Sequence, residues 1–279
     1  MSALISAEEL AERLGEVSVL DVRYTLGRSD GHDQFLAGHV PGAAYVDLDA
    51  DLSDPVGDGS RGRHPLPDPE RFAAAMRRAG VRRDRTVVVH DAVGGTSAAR
   101  AWWLLRDHGH PDVRLLDGGW QWWDRDGRPV ETGPADVAPG DFGADPGHLP
   151  VLGPEQAARL AADGVLIDAR AGERFRGETE PLDPVAGHIP GAVNVPTKAN
   201  LRPDDDPAAA RFRSPQELRT AYAAVGVQPG TAVGSYCGSG VTATHDLFAL
   251  HLIGIEGALF AGSWSAWVSD PTRPVATGE

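Results

Sequence analysis

Cys237 is the only cysteine in this chain of 279 residues, and it stands in the segment Tyr236-Cys-Gly-Ser-Gly-Val-Thr-Ala243. On one side, Val233 to Tyr236 reads as the end of a buried strand. On the other, Thr242 to Ile253 carries Leu247, Leu250 and Ile253 at helical spacing. The cysteine therefore belongs to a strand-to-helix turn. Gly238 and Gly240 let the backbone fold tightly there, so that successive N–H groups and the positive end of the helix can point at one anion. The chemistry this predicts is that of a working thiolate. A lone cysteine is more often a small buried apolar side chain, and it is the flanking pattern that favours the nucleophile here.

A single cysteine excludes an intramolecular disulfide, a multi-cysteine metal site and a second internal thiol that could resolve a covalent sulfur intermediate. Acceptors must come from outside. No motif calls for a metal or an organic cofactor. With 41% apolar and 24% charged residues and 22 prolines, the composition is that of an ordinary globular chain. The formal charge of −14 argues against nucleic acid and anionic membrane as partners, since both need a basic surface. Neither a membrane-spanning apolar run nor a signal-peptide profile is present, so a cytoplasmic location is expected.

The elements that must position the cysteine occur twice. Ser6-Ala-Glu-Glu9 opens a capped helix that leads to a strand ending Asp21-Val-Arg23, and Pro154-Glu-Gln-Ala157 opens its counterpart, leading to Asp168-Ala-Arg170. Gly38-His-Val-Pro-Gly-Ala43 matches Gly187-His-Ile-Pro-Gly-Ala192. Helices from Pro69 and Pro215 then precede the strands Thr86 to His90 and Thr231 to Tyr236. Asp117-Gly-Gly-Trp120-Gln-Trp-Trp123 and Ala261-Gly-Ser-Trp264-Ser-Ala-Trp267 close the halves, each with two tryptophans on one helical face. Alternating strands and helices with short connections predict α/β domains, each a mainly parallel sheet flanked by helices. The expected boundaries are 1–132 and 151–279. The aperiodic stretch 133–150, rich in Pro, Gly, Asp and Ala, reads as a linker.

Overlaying the halves puts Asp91 where Cys237 stands. A carboxylate cannot act as a thiol nucleophile, so the first half is expected to be catalytically silent, with Asp91 serving as a turn or cap residue. The paired Gly-His-aliphatic-Pro-Gly-Ala segments occur in both halves, which argues for a structural role of His39 and His188. His39 keeps a claim on donor binding because its first-half loop could face the cysteine. A thiolate site that admits an anionic molecule needs arginine, and the cysteine loop has none. Arg174 and Arg176, in Gly172-Glu-Arg-Phe-Arg-Gly177, lie just past a strand end, where open α/β sheets place ligand loops. Of these, Arg176 is favoured.

Taken as a set, the tandem copies, the Asp-x-Arg strand ends, the repeated Gly-His-(Val/Ile)-Pro-Gly-Ala segments, Asp91 in place of a first-half cysteine, and Cys237-Gly-Ser-Gly-Val-Thr-Ala243 resemble the two-domain rhodanese sulfurtransferases over nearly the whole chain. The resemblance implies two tandem rhodanese-like domains, with Cys237 carrying sulfane sulfur as a persulfide between a small anionic donor and a thiol or cyanide acceptor. A thioredoxin-like reductant is a further partner of that kind. It implies that the amides of Gly238, Ser239, Gly240, Val241 and Thr242 cradle the sulfur. Gly238 and Ser239 look like the 3-mercaptopyruvate type rather than the thiosulfate type, which carries basic residues after the cysteine. Ser239 would then polarise the donor, and Arg176 would hold its carboxylate by paired hydrogen bonds. Members of that type often carry a second arginine in the following Pro-rich stretch, whereas 178–185 here has none. An acidic residue ahead of His39 assists in some relatives, and Asp30 and Asp33 both qualify. Two other readings compete. A cysteine phosphatase or arsenate reductase needs an arginine where Ala243 stands, and a non-enzymatic persulfide carrier or sulfur-sensing module would load once and transfer poorly to cyanide.

Overall fold

A computed structural model describes residues 2–207 and 209–279. The chain divides into two compact units. Unit 1 comprises residues 1–54, 67–148 and 202–212; unit 2 comprises 55–66, 149–201 and 213–279.

In unit 1 the elements run β1 (Leu4–Ile5), α1 (Ala7–Glu12), β2 (Ser18–Asp21), α2 (Gly31–Ala37), β3 (Ala43–Tyr45), α3 (Pro69–Arg78), β4 (Val87–His90), α4 (Thr96–Asp107), β5 (Val113–Leu116) and α5 (Gly119–Arg125). Unit 2 follows with α6 (Pro154–Asp163), β6 (Val165–Asp168), α7 (Gly172–Phe175), β7 (Val193–Asn194), a 3-10 turn over Thr197–Asn200, α8 (Pro215–Ala223), β8 (Val233–Tyr236), α9 (Ala243–Leu252), β9 (Ala258–Leu259) and α10 (Ser263–Trp267). The strand orders are β1-β5-β4-β2-β3 and β7-β6-β8-β9. Every strand pair is parallel. The parallel bridge Val151↔Leu259 stands in unit 2 where β1 pairs β5 in unit 1.

Local chemistry explains the helix starts. Ser6 accepts from the Glu9 N–H and Asp68 from the Arg71 N–H. Ser214 and Glu217 form a reciprocal capping box. The central strands are buried on both faces, as parallel strands under two helical layers must be; β2, β4 and β8 are buried throughout. One core gathers Ile5, Leu10, Phe35, Val88 and Trp123, and the other Leu166, Phe175, Ile189, Phe260 and Trp264.

The segments of the two units differ from the expected boundaries. Residues 55–66, in the first half of the sequence, group with unit 2, and 202–212 group with unit 1. The stretch expected as a linker adheres to unit 1: Gly133 N–H bonds Leu36 O at 2.8 Å, Gly140 N–H bonds Arg77 O at 2.8 Å and His148 N–H bonds Asp107 O at 3.0 Å, while Phe142 is buried. Its backbone finds partners in the unit without forming a strand or helix. Among the described residues, no helix is long and apolar enough to cross a membrane.

Candidate active site

In the unit 2 sheet, β6 and β8 are neighbours with Asp168 opposite Tyr236. Because the strands are parallel, the turns that follow them meet at one carboxyl edge, where open α/β sheets hold their ligands. Cys237 follows β8 directly and is 1% exposed. Its Sγ accepts the Gly240 N–H at 3.1 Å. The Cys237 N–H donates to Ser263 Oγ at 3.0 Å, and that hydroxyl is 3.9 Å from Sγ. The carbonyls of Cys237 and Gly238 accept the N–H groups of Trp264 (2.9 Å) and Ser265 (3.0 Å), which tie the turn to the start of α10. Gly240 has φ +83°, and a Cβ there would lie 2.2 Å from the Ala261 carbonyl oxygen, so glycine is required. Val241 and Thr242 contribute backbone: Val241 O accepts Thr244 Oγ1 at 2.6 Å, and Thr242 caps α9 without a side-chain hydrogen bond.

Ser239 is 9% exposed, with its Oγ 2.7 Å from His64 Nδ1. His64 reaches it from the segment 55–66, which is anchored on the α10 start: a Cβ at Gly62 would sit 2.4 Å from Gly262 O, and the Arg63 N–H donates to Ser265 Oγ at 3.1 Å. The same anchoring brings Arg63 to the Cys237 turn. A Cβ at Gly238 would lie 3.0 Å from Arg63 Nη2 and 3.5 and 3.6 Å from Arg174 Nη2 and Nη1. Arg63 pairs with Asp183. Arg174 grips Glu180 through Nε (3.1 Å) and Nη2 (2.6 Å). Burial pushes the Asp183 carboxyl above its ordinary pKa despite Arg63. For Glu180 burial acts in the same direction, but hydrogen bonds from Arg174 and the backbone outweigh it and hold the carboxyl below the usual range.

The structure thus gives Arg174 the place expected for Arg176. Arg176 is at the C-terminal end of α7 and turns outward to Glu178, at 2.7 and 3.0 Å. On a helix two residues differ by about 200°, so only one of the pair can face the turn. Phe175 decides which, because it is buried and its ring stacks on His188 with centroids 3.8 Å apart. His39 repeats that arrangement in unit 1, fully buried, stacked on Phe35 at 3.9 Å with Nδ1 on the Phe35 carbonyl at 2.9 Å. In this structure its ring is part of the packing of unit 1. Asp30 precedes α2 and pairs with Arg28. Sequence reasoning missed Arg63 and His64. The available signal was Gly62-Arg-His-Pro65, an arginine and a histidine between turn residues, a segment that has no counterpart in the second half.

In unit 1 the equivalent turn holds the carboxylate of Asp91. Oδ1 accepts the N–H groups of Val93 (2.9 Å) and Gly95 (2.8 Å), and Oδ2 those of Ser97 (2.8 Å) and Ala98 (3.0 Å). This turn is an anion cup, here filled from within.

A rhodanese-like domain is matched twice, over residues 6–126 and 153–270. The chain belongs to the rhodanese-like domain family. Among its relatives are a Pseudomonas aeruginosa protein named for 3-mercaptopyruvate sulfurtransferase activity (46% identical, covering 99% of this chain and 98% of that one) and a Mycobacterium tuberculosis protein, SseB, named for thiosulfate sulfurtransferase activity (45%, 99% and 97%). The crystal structure of SseA from Escherichia coli, described as a 3-mercaptopyruvate sulfurtransferase with the rhodanese fold, superposes with a TM-score of 0.83 at 34% identity, over 95% of this chain and 99% of that one. This rhodanese-like protein is a sulfurtransferase, with one domain bearing the cysteine and one bearing Asp91.

Proposed function

We propose that the protein transfers sulfane sulfur from 3-mercaptopyruvate through a Cys237 persulfide to a thiophilic acceptor such as cyanide, a small thiol or a thioredoxin-like reductant. The observation that carries this reading is the hydrogen-bonded Ser239–His64 pair beside the cysteine, 2.7 Å between Oγ and Nδ1. The Cys237 thiolate attacks the donor sulfur and the C–S bond breaks, leaving the enolate of pyruvate. The donor's thiol proton must reach the enolate carbon, so that the products are pyruvate and the persulfide anion. A hydroxyl bonded to an imidazole can polarise the donor and pass that proton. Thiosulfate needs no such step, because its leaving group, sulfite, departs as an anion. Acceptor attack on the outer sulfur then restores the thiolate, as in thiol–disulfide exchange.

The cup stabilises the anions on this path. Gly240 N–H already reaches Sγ, and the positions equivalent to the Asp91-binding amides are Ser239, Val241, Ala243 and Thr244. An outer sulfur is expected to take the place that the second carboxylate oxygen fills in unit 1.

The test is thiocyanate formation with each donor, together with the mass of the protein after donor treatment. Wild type should gain about 32 Da, one sulfur, removed by cyanide. Cys237→Ser should gain nothing and lose at least about a thousandfold in activity. Ser239→Ala should slow mercaptopyruvate turnover by roughly a hundredfold and thiosulfate turnover far less. Retained activity in Cys237→Ser would end the nucleophile assignment. Equal losses for both donors in Ser239→Ala would remove the proton-transfer role.

A further inference from the structure

The helix that follows the Cys237 turn carries a buried acid that the sulfur chemistry does not use. Asp246 stands in the first turn of α9 and is fully buried. Its Oδ1 accepts Asn200 Nδ2 at 2.8 Å, and its Oδ2 is 3.5 Å from Ser235 Oγ. Tyr222 donates its hydroxyl to Asn200 Oδ1 at 2.9 Å and lies 3.4 Å from the Asp246 carbonyl oxygen. Nδ1 of His245, on the same helix, is 3.2 Å from Asn200 Nδ2. These side chains are all buried. Together they tie the start of α9 to the 3-10 turn over Thr197–Asn200, to α8 and to β8, the last through a serine two residues before Cys237.

Among the described residues, no arginine or lysine pairs with Asp246. Burial and the charge of Asp168 raise its pKa well above the ordinary carboxylate value, against the hydrogen bonds from Asn200, Ser235 and Tyr222. A carboxylic acid suits these partners, since one oxygen accepts from the amide while the O–H can donate to Ser235 Oγ. An ionised carboxyl would act differently. In the first turn of α9 it would offset the positive end of the helix that supports a negative sulfur, and at a buried site the repulsion is weakly screened. Unit 1 shows the opposite choice at the equivalent position: nine residues after Asp91, as Asp246 is nine after Cys237, stands Arg100, also fully buried. There the cup holds a carboxylate of the chain itself.

We propose that Asp246 is a positioning residue for the Cys237 turn that works as the un-ionised acid: its hydrogen bonds fix the first turn of α9 to β8 and to the 197–200 turn, and loss of its proton to solvent at alkaline pH opposes the sulfur anion and slows transfer. The proposal rests on Cys237 being the sulfur carrier. The other titratable and charged groups about Asp246 are Tyr222, His245 and the Asp168–Arg170 pair. Burial, reinforced by the Asp246 charge, pushes the Tyr222 hydroxyl well above the ordinary phenol value, so it stays neutral. Asp168 is held by Arg170 at 2.6 Å.

The experiment uses Asp246→Leu and Asp246→Asn in the full chain, with kcat/KM for 3-mercaptopyruvate measured from about pH 5 to about pH 10. Because Cys237 is the only thiol, the pH dependence of its alkylation by neutral iodoacetamide gives its apparent pKa without turnover. Asp246→Leu, which removes the hydrogen bonds, should lower kcat/KM by about tenfold and raise the apparent pKa of Cys237 by about one unit. Asp246→Asn keeps an acceptor for Asn200 and a donor toward Ser235, and it should bring kcat/KM near neutral pH back to within about threefold of wild type. On the alkaline side kcat/KM of wild type should fall by about tenfold, and Asp246→Asn, which has no proton to lose, should lack that fall. Equal alkaline falls in wild type and Asp246→Asn, a wild type without one, or a folded Asp246→Leu with both readouts at wild-type values would overturn the proposal. Should the leucine variant not fold, the alkaline limb of Asp246→Asn alone decides. Each of these outcomes leaves persulfide formation by wild type intact, whereas a wild type that gains no sulfur would instead remove the Cys237 reading itself.

Discussion

After β4 the turn closes on a carboxylate that accepts four backbone N–H groups; after β8 the equivalent turn closes on a sulfur that accepts the N–H of Gly240. Both turns leave a buried parallel strand and enter a helix, with a glycine at positive φ at the matching position, Gly94 or Gly240. The backbone supplies an anion site in either case. What differs is the group that fills it: the two oxygens of Asp91 take four amides of its turn, whereas the single Sγ of Cys237 accepts the Gly240 N–H. The surroundings diverge as well. Val93 stands where Ser239 offers a hydroxyl, and Gln34, one residue before the stacked Phe35, stands where Arg174 offers a guanidinium. Gly119 at φ +58° corresponds to Ser263 at φ +54°. Among the described residues Ser263 is the one non-glycine at positive φ, a conformation that costs on the order of 1 kcal/mol. Its hydroxyl receives the Cys237 N–H. In the first unit the cup serves as a structural cap on its own carboxylate; in the second it surrounds a sulfur, with Arg63 and Arg174 beside Gly238.

Making the second turn imitate the first is the severest way to break this contrast. Cys237→Asp should abolish sulfur transfer, at least about a thousandfold, yet remain folded with thermal stability equal to or above wild type, because the new carboxylate can take the cup's amides. A large drop in melting temperature would show that the two turns are not interchangeable. The converse change sharpens the role of Asp91. Asp91→Ala leaves buried amides without an acceptor and should cost on the order of 3 kcal/mol in denaturant unfolding, while kcat for the Cys237 reaction changes little. A loss of kcat in the folded variant would contradict a silent first domain.

The smallest effect concerns a carboxyl in the helix that follows the Cys237 turn. Asp246, fully buried in α9, accepts Asn200 Nδ2 at 2.8 Å, and burial raises its pKa well above the ordinary carboxylate value, with the charge of Asp168 adding to this. The folded state holds this proton to higher pH than the unfolded chain does. Its contribution to stability is therefore complete below the unfolded pKa of about 4 and is lost as pH rises toward the raised folded value. Asp246→Asn, which keeps the acceptor, should flatten that part of the stability profile. An unaltered slope in pH-dependent unfolding would assign the pH response to other groups.

The helix caps at Ser6 and Ser214, the duplicated strand-to-helix turns and the cap role of Asp91 were legible because each depends on residues a few positions apart. The choice between Arg174 and Arg176 was not. It depends on the rotation of a one-turn helix, which the Phe175–His188 stack sets. Nor was the Ser239–His64 pair, whose members are 175 positions apart. Its partner segment, 55–66, is held by close backbone approach at Gly62 and Gly262, a contact with no periodic trace in the chain.

By itself, the sequence determined that one sulfur sits in a backbone anion cup within the second of two like α/β domains, since glycine spacing, strand patterning and repetition are local and additive. Only the tertiary structure decided which cations and which histidine attend that sulfur. Side-chain direction on a short helix, and the meeting of distant loops at a sheet edge, follow from packing across the whole fold.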